Sequence, residues 1–134
     1  MVDYLLDTNL LIEQPDLSKI PESSDDSRFF TSAICYAELL EGEFSTQPTT
    51  VANAVIQSAA AYQKLGDGLA FGQAEVNSYR ALCAAITASG REITRARRVD
   101  MMIAATAHAN KMTLATRNTD DFNAVPEIVN ILEL

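Results

Sequence analysis

Cysteine and histidine are scarce in this chain of 134 residues, which has two cysteines and one histidine. Cys35 and Cys83 lack the spacing of a metal site or a redox motif, so we expect two reduced, buried thiols. No hydrophobic run is long enough for a membrane-spanning helix. Asp3 stands where a signal peptide would carry basic residues. These absences predict a cytoplasmic protein with no membrane association.

Length and composition favour one folded domain spanning residues 1–134, because 48% of the residues are hydrophobic and can form a sizeable core. The net charge of −8, taken alone, argues against a nucleic-acid-binding protein. The charge is unevenly distributed, however. Residues 1–43 contain ten Asp or Glu and two Lys or Arg, whereas residues 80–117 contain seven Lys or Arg and two acids. The basic segment is either a solvated face or a rim that meets a polyanion.

Short apolar runs alternate with segments of helical periodicity. Strands are predicted at residues 2–6, 29–34, 112–116 and 129–134, and a polar loop at 15–27. We expect a helix after the second strand, capped by Thr31 or Ser32 and ended by Gly42. Longer helices are expected from a cap at Thr49 or Thr50 to near Gly66, over 72–89, and over 99–110.

This alternation predicts an α/β fold in which helices cover both faces of a short parallel sheet. Functional sites in such sheets lie beyond the carboxyl ends of the strands. Asp7 ends the first strand, and residues 118–121 follow the strand at 112–116. We therefore expect Asp7 and this later segment to emerge at the same edge of the sheet.

Four acidic residues, each in a distinctive local frame, are the candidate site. Asp7 follows a buried strand and either caps the next helix or binds a ligand. Glu38 lies in an early helical turn, where its spacing alone favours an ordinary exposed residue stabilised by the helix dipole over a ligand. Asp100 opens an apolar helix as a cap or a ligand. Asp121, which precedes Phe122, is chosen over its neighbour Asp120 as the fourth acid.

Gathered in one pocket, four carboxylates would raise each other's pKa unless cations neutralise them. Hard oxygen ligands of this kind favour Mg²⁺ or Mn²⁺. The four acids therefore predict a metal site suited to phosphodiester chemistry.

The frames around these acids resemble the motifs of PIN domains, specifically the VapC-type toxins of bacterial toxin–antitoxin pairs. They are Leu5-Leu6-Asp7-Thr8-Asn9, Ala37-Glu38-Leu39-Leu40-Glu41-Gly42, Asp100-Met101-Met102-Ile103-Ala104-Ala105-Thr106-Ala107 and Leu114-Ala115-Thr116-Arg117-Asn118-Thr119-Asp120-Asp121-Phe122. The resemblance covers nearly the whole chain, although residues 44–90 match no motif.

The resemblance implies a Rossmann-like three-layer α/β/α sandwich and a Mg²⁺- or Mn²⁺-dependent endoribonuclease. It assigns the acid roles to Asp7, Glu38, Asp100 and Asp121, with Asn9 and Asn118 as polar support. It also implies a homodimer and a small VapB-like antitoxin that blocks the site.

Further roles follow from the hypothesis of RNA cleavage. Thr8 or Thr116 is a candidate to hold the scissile phosphate, and Arg97, Arg98 and Arg117 to neutralise the RNA backbone. His108 lies eight residues after Asp100, about 12 Å along a helix, so we expect a structural role for it.

Two other classes of protein share part of this pattern. A receiver domain requires an adjacent acid pair after the first strand, but Thr8 and Asn9 follow Asp7. A catalytically silent PIN scaffold is the binding-protein alternative, and the presence of all four acids argues against it.

Overall fold

The computed structural model describes residues 2–20, 26–122, 125 and 127–134, and only the backbone of Asp121. Four strands and five helices are seen in these residues. The strands are β1 (Asp3–Leu6), β2 (Arg28–Phe30), β3 (Thr113–Thr116) and β4 (Ile131–Glu133), and the helices are α1 (Thr8–Glu13), α2 (Ala33–Glu41), α3 (Pro48–Leu65), α4 (Gln73–Ala88) and α5 (Arg95–Ala109). Short 3-10 turns lie at Leu17–Lys19, Gly42–Phe44 and Thr119–Phe122.

All strands pair in parallel, in the order β2-β1-β3-β4. The register places Leu5 of β1 opposite Phe30 of β2 and Leu114 of β3. Leu5 and Leu114 are fully buried, as are Ile103 and Ala104 of α5. A parallel sheet needs helical cover on both faces because its strands are apolar on both sides. The predicted α/β architecture, with helices packed on a short parallel sheet, is confirmed.

The predicted helix after the second strand is confirmed, and Ser32 is its cap. The Ser32 hydroxyl accepts a hydrogen bond from the Cys35 amide at 3.0 Å, and Gly42 follows the last residue of α2. The strand itself ends at Phe30, so the prediction of strand as far as residue 34 is wrong. Ser32 is not part of β2 because it caps α2, and its hydroxyl must face the free amides of the first helical turn.

Two other predicted boundaries differ from the structure. Helix α3 begins at Pro48 after Gln47, so neither Thr49 nor Thr50 is its cap; proline suits the first helical position, where an amide donor is not needed. Helix α4 agrees with the predicted span of 72–89 to within one residue at each end. Helix α5 begins four residues before the predicted start, and this changes the interpretation of Asp100.

The polar loop at 15–27 contains one 3-10 turn, and its residues 21–25 lie outside the described part of the chain. Cys35 is buried and Cys83 is partly buried, both as free thiols, as predicted. Within the described residues, no helix combines the length and the apolar character needed to cross a bilayer.

Candidate metal and active site at the sheet edge

Asp7 lies at the carboxyl end of β1 and is held from three directions. Its amide donates to the Ala115 carbonyl of β3 at 3.1 Å. One carboxylate oxygen, Oδ1, accepts from the Thr8 amide at 2.7 Å, and the other, Oδ2, accepts from the Thr116 hydroxyl at 2.8 Å. Asp7 is only 6% exposed. It caps α1, as one interpretation of the sequence proposed, and its second oxygen also joins it to a strand more than a hundred residues away.

Glu38 is joined to this cluster through Thr8. The Thr8 hydroxyl donates to Glu38 Oε1 at 2.6 Å, so Thr8 contacts both carboxylates, that of Asp7 through its amide and that of Glu38 through its hydroxyl. Burial raises the pKa of Glu38 above its usual range; the Thr8 bond opposes that shift, and the charges of Asp7 and Glu41 add to it. Because these charges repel the ionised form of Glu38, a cation between the carboxylates would be stabilised.

Thr116 and Asn118 extend the hydrogen bonds of Asp7 on the side of β3. Thr116 is fully buried, and its hydroxyl donates to Asp7 while accepting from the Asn118 amide at 3.1 Å. This hydroxyl therefore positions the Asp7 carboxylate. The side chain of Asn118 itself is exposed, as is that of Asn9.

Asp100 lies inside α5, in its second turn, and does not cap the helix. Thr94 occupies the N-cap position, so the interpretation of Asp100 as a cap is wrong. Asp100 is partly buried, on a helix that contacts both α2 and the turn at Thr119–Phe122. Among the described side chains, no three Asp, Glu, His or Cys residues are grouped so as to hold a metal ion. Of the four predicted acids, the structure links Asp7 and Glu38 through Thr8.

Solved structures with a similar fold include a member of the VapBC family of toxin–antitoxin systems. The chain is similar to a chain of VapBC-5 from Mycobacterium tuberculosis, with 24% identity, complete coverage of both chains and a TM-score of 0.80. It also matches VapBC-1 from nontypeable Haemophilus influenzae (21%, 98% of each chain, 0.76) and FitAcB from Neisseria gonorrhoeae (25%, 97% of this chain and 96% of that chain, 0.72). The chain has the PIN-domain fold. No family model and no curated protein matches it.

The loop after β3 of the PIN fold carries the fourth predicted acid. Phe122, in the 3-10 turn, is 1% exposed and anchors the loop in the core. Asp120 is exposed. The side chain of Asp121 lies outside the described part of the chain, so its choice over Asp120 stays a prediction.

The predicted RNA-binding arginines lie on two elements of the PIN fold. Arg97 and Arg98 are in the first turn of α5, where Arg98 is exposed and Arg97 partly so. Arg117, at the end of β3, forms an exposed ion pair with Glu13 of α1. Their contact with RNA stays a prediction. His108 hydrogen-bonds through Nδ1 to the Ser78 hydroxyl at 2.8 Å, in accord with the structural role expected for it.

Two residues near Asp7 were not among the sequence predictions of the site. Thr31 is 1% exposed and its hydroxyl contacts the Leu6 carbonyl, while the Cys35 thiol lies close to Thr8 and Thr31. Burial raises the pKa of the Cys35 thiol, so this side chain is a neutral neighbour of the carboxylates. The signal for Cys35 was available, because it lies one helical turn before Glu38 on the same face of α2.

Proposed function

We propose that this protein is a Mg²⁺- or Mn²⁺-dependent endoribonuclease toxin that a cognate antitoxin neutralises. The proposal rests chiefly on one observation: at the carboxyl edge of a parallel sheet, Thr8 links the carboxylates of Asp7 and Glu38, the first through its amide and the second through its hydroxyl. That edge is where α/β folds bind their ligands. A cytoplasmic location follows as part of the same proposal.

The residues present fit a hard divalent cation. Carboxylate oxygens are the donors that Mg²⁺ and Mn²⁺ prefer, and no described sulfur or imidazole donor competes at Asp7 apart from the neutral Cys35 thiol. Glu38 is held in an environment that disfavours its charge. Asp7 and Asp100 are the proposed principal ligands, with Glu38 and Asp121 as the further acids of the site.

A bound cation would supply an activated water and neutralise charge on the scissile phosphate. The chain's own residues hold the reacting groups in place. Thr116 fixes one oxygen of Asp7, and Thr8 fixes Glu38. Arg97, Arg98 and Arg117 are proposed to bind the RNA backbone. Because water is the proposed nucleophile, the 2′-hydroxyl has no role in bond breaking, and the products carry 5′-phosphate and 3′-hydroxyl ends.

Mapping cleavage sites on total RNA with Mn²⁺ tests the proposal. Wild-type protein should cleave at discrete positions, EDTA should abolish cleavage, and the new ends should carry 5′-phosphates. Asp7→Asn is the matched control, since the amide keeps an oxygen acceptor while losing the charge. Circular dichroism should show that Asp7→Asn retains the fold. Full cleavage by purified Asp7→Asn would overturn the assignment.

The partner part of the proposal is supported by the relatives and by one surface. VapBC-5 is a member of the VapBC family of toxin–antitoxin systems. In this chain an apolar groove, the α2–α3 groove, runs between two helices and is lined in part by Tyr36, Ala37, Leu40, Ala59 and Tyr62. An exposed apolar groove with polar residues at its rim is a candidate protein-binding site. We propose that the antitoxin binds there and that the toxin is a homodimer.

The remaining alternative is a PIN scaffold that binds partners but cleaves nothing. Isothermal calorimetry with Mn²⁺ separates the two functions. Saturable Mn²⁺ binding by wild type supports the nuclease, and its absence supports the silent scaffold.

A further inference from the structure

The peptide unit between Leu6 and Asp7 is held on both sides. Its amide, contributed by Asp7, donates to the Ala115 carbonyl of β3 at 3.1 Å. Its carbonyl, contributed by Leu6, accepts from the Thr31 hydroxyl at 2.9 Å. Hydrogen bonds on both sides of a planar peptide unit resist its rotation, so these two bonds hold in place the backbone from which the Asp7 side chain leaves.

The Thr31 bond replaces a missing backbone contact. Strand β2 ends at Phe30, one residue before Thr31, so the backbone ladder between β1 and β2 stops just before the site. The Thr31 hydroxyl then supplies a donor from a side chain that is 1% exposed. The Cys35 thiol also reaches the Leu6 carbonyl, at 3.7 Å, but a thiol is a weaker donor than a hydroxyl.

The next residue, Ser32, fixes the helix that carries Glu38. Its hydroxyl caps α2 at the Cys35 amide, and its carbonyl accepts from the Tyr36 amide at 3.2 Å. Thr31 and Ser32 are consecutive in the chain. Thr31 therefore holds the end of β1, which presents Asp7, and Ser32 holds the start of α2, which presents Glu38. The Thr8 bond to Glu38 closes this chain of contacts into a ring.

The connection between α3 and α4 forms backbone hydrogen bonds on either side of Thr31 and Ser32. The Leu69 amide donates to the Thr31 carbonyl, and the Ala33 amide donates to the Leu69 carbonyl, both at 2.9 Å. Gly68 lies so close that a Cβ there would sit 2.5 Å from the Ala33 nitrogen. Residues of the middle segment, which matched no motif, thus fix Thr31 in place.

We propose that Thr31 is a positioning residue for the metal site, whose hydroxyl sets the Asp7 carboxylate at the spacing from Glu38 that a divalent cation requires. This inference rests on the proposed function. Thr31 touches neither the metal nor RNA, and it acts through the Leu6–Asp7 peptide. Partners that orient metal ligands in this way affect affinity through geometry rather than charge.

Two pairs of variants isolate the hydroxyl. Thr31→Val removes it and keeps the branched shape, while Thr31→Ser keeps it and removes the methyl group. Thr31→Ala, compared with Thr31→Ser, removes the hydroxyl from an already shortened side chain. This second comparison carries the test if the valine variant does not fold. Mn²⁺ affinity is measured by calorimetry on each full-length protein, below the Tm obtained without metal.

The dissociation constant for Mn²⁺ should rise about tenfold in Thr31→Val relative to wild type, and by a similar factor in Thr31→Ala relative to Thr31→Ser. Thr31→Ser should bind Mn²⁺ nearly as wild type does. Equal Mn²⁺ affinity in the variants with and without the hydroxyl, whatever their Tm, would overturn the positioning role and leave the proposed function intact. Absence of Mn²⁺ binding by wild type would instead overturn the proposed function, and the positioning role with it.

Discussion

The two faces of α2 differ sharply in chemistry. One face carries Cys35, Glu38 and Leu39; Cys35 and Leu39 are buried and Glu38 meets Thr8 at the sheet edge. The other face, with Tyr36 and Leu40, lines the α2–α3 groove, where Leu40 is 49% exposed. The polar side chain of Glu38 thus faces the site, whereas the apolar side chains of Tyr36 and Leu40 face the groove. The comparison indicates that one nine-residue helix serves the proposed chemistry on one side and a proposed partner on the other.

The spacing of residues along the helix keeps these two faces apart. Residues three or four positions apart share a face, so Tyr36, Ala37 and Leu40 lie together while Glu38 points elsewhere. The small side chain of Ala37 leaves the groove open. Tyr36 also fixes the groove wall, because its hydroxyl donates to the Gly66 carbonyl at 2.7 Å. Variants on the two faces should therefore have separable effects.

The most severe loss on the site side is expected from Asp100→Asn. If Asp100 belongs to the same site as Asp7 and Glu38, removal of its charge should lower Mn²⁺-dependent cleavage by about 100-fold or more. Cleavage of a defined RNA under single-turnover conditions measures the loss. Asp121→Asn should behave in the same way, and Asp120→Asn, the exposed neighbour, should cleave like wild type. Activity retained in Asp100→Asn would show that Asp100, and with it α5, does not belong to the site.

A groove variant should show the opposite pattern. Ala59→Lys places a long charged side chain in the α2–α3 groove, and we expect it to weaken antitoxin binding by about tenfold or more without changing cleavage. Ala52→Lys is the control, because Ala52 is exposed on the same helix but does not line the groove. The partner to use is the product of the short upstream reading frame expected for such a pair. Equal binding by both variants would show that the groove is not the antitoxin site.

Gly68→Ala should disturb both faces together. The added Cβ would lie 2.7 Å from the Ser32 carbonyl carbon, so the start of α2 must shift. Overpacking of this kind costs about 1–3 kcal/mol in the free energy of unfolding. Urea denaturation measures this change, and Gly90→Ala provides a comparison at a position with no atom within 4 Å but with a positive φ. Unchanged stability in Gly68→Ala would mean that the connection between α3 and α4 shifts to accommodate the Cβ while α2 stays in place.

The smallest effect is expected from the charge of Glu38 on stability. Because its pKa is raised in the folded protein, ionised Glu38 is less favourable folded than unfolded, and the stability that protonated Glu38 confers is lost as pH rises through that pKa. Glu38→Gln should therefore raise the Tm of metal-free protein by about 2 °C at pH 7. This gain should shrink as pH falls through the folded pKa. Thermal scans in EDTA from pH 4 to pH 8 measure it, and a gain independent of pH would contradict the assigned cause.

Much of the fold could be predicted from local sequence. The apolar run before Asp7, the Ser32 cap, and the stops at Gly42 and Gly66 all depend on neighbouring residues, and all were found as expected or within a few residues. The start of α5 was missed because Arg95, Arg97 and Arg98 add no apolar face to extend the helical pattern. The cap of α3 was missed because proline, rather than a threonine hydroxyl, begins that helix.

The sequence by itself determined which residues could form a site: acids in recognisable frames, two of them predicted at one edge of a parallel sheet. Only the tertiary structure decided how they are held. Thr116 reaches Asp7 across 109 positions and Thr8 reaches Glu38 across 30. Thr31, which no motif marked, reaches the peptide before Asp7. The physical reason is that capping and periodicity depend on residues a few positions apart, whereas these bonds exist only once strand order and helix packing have brought distant segments together.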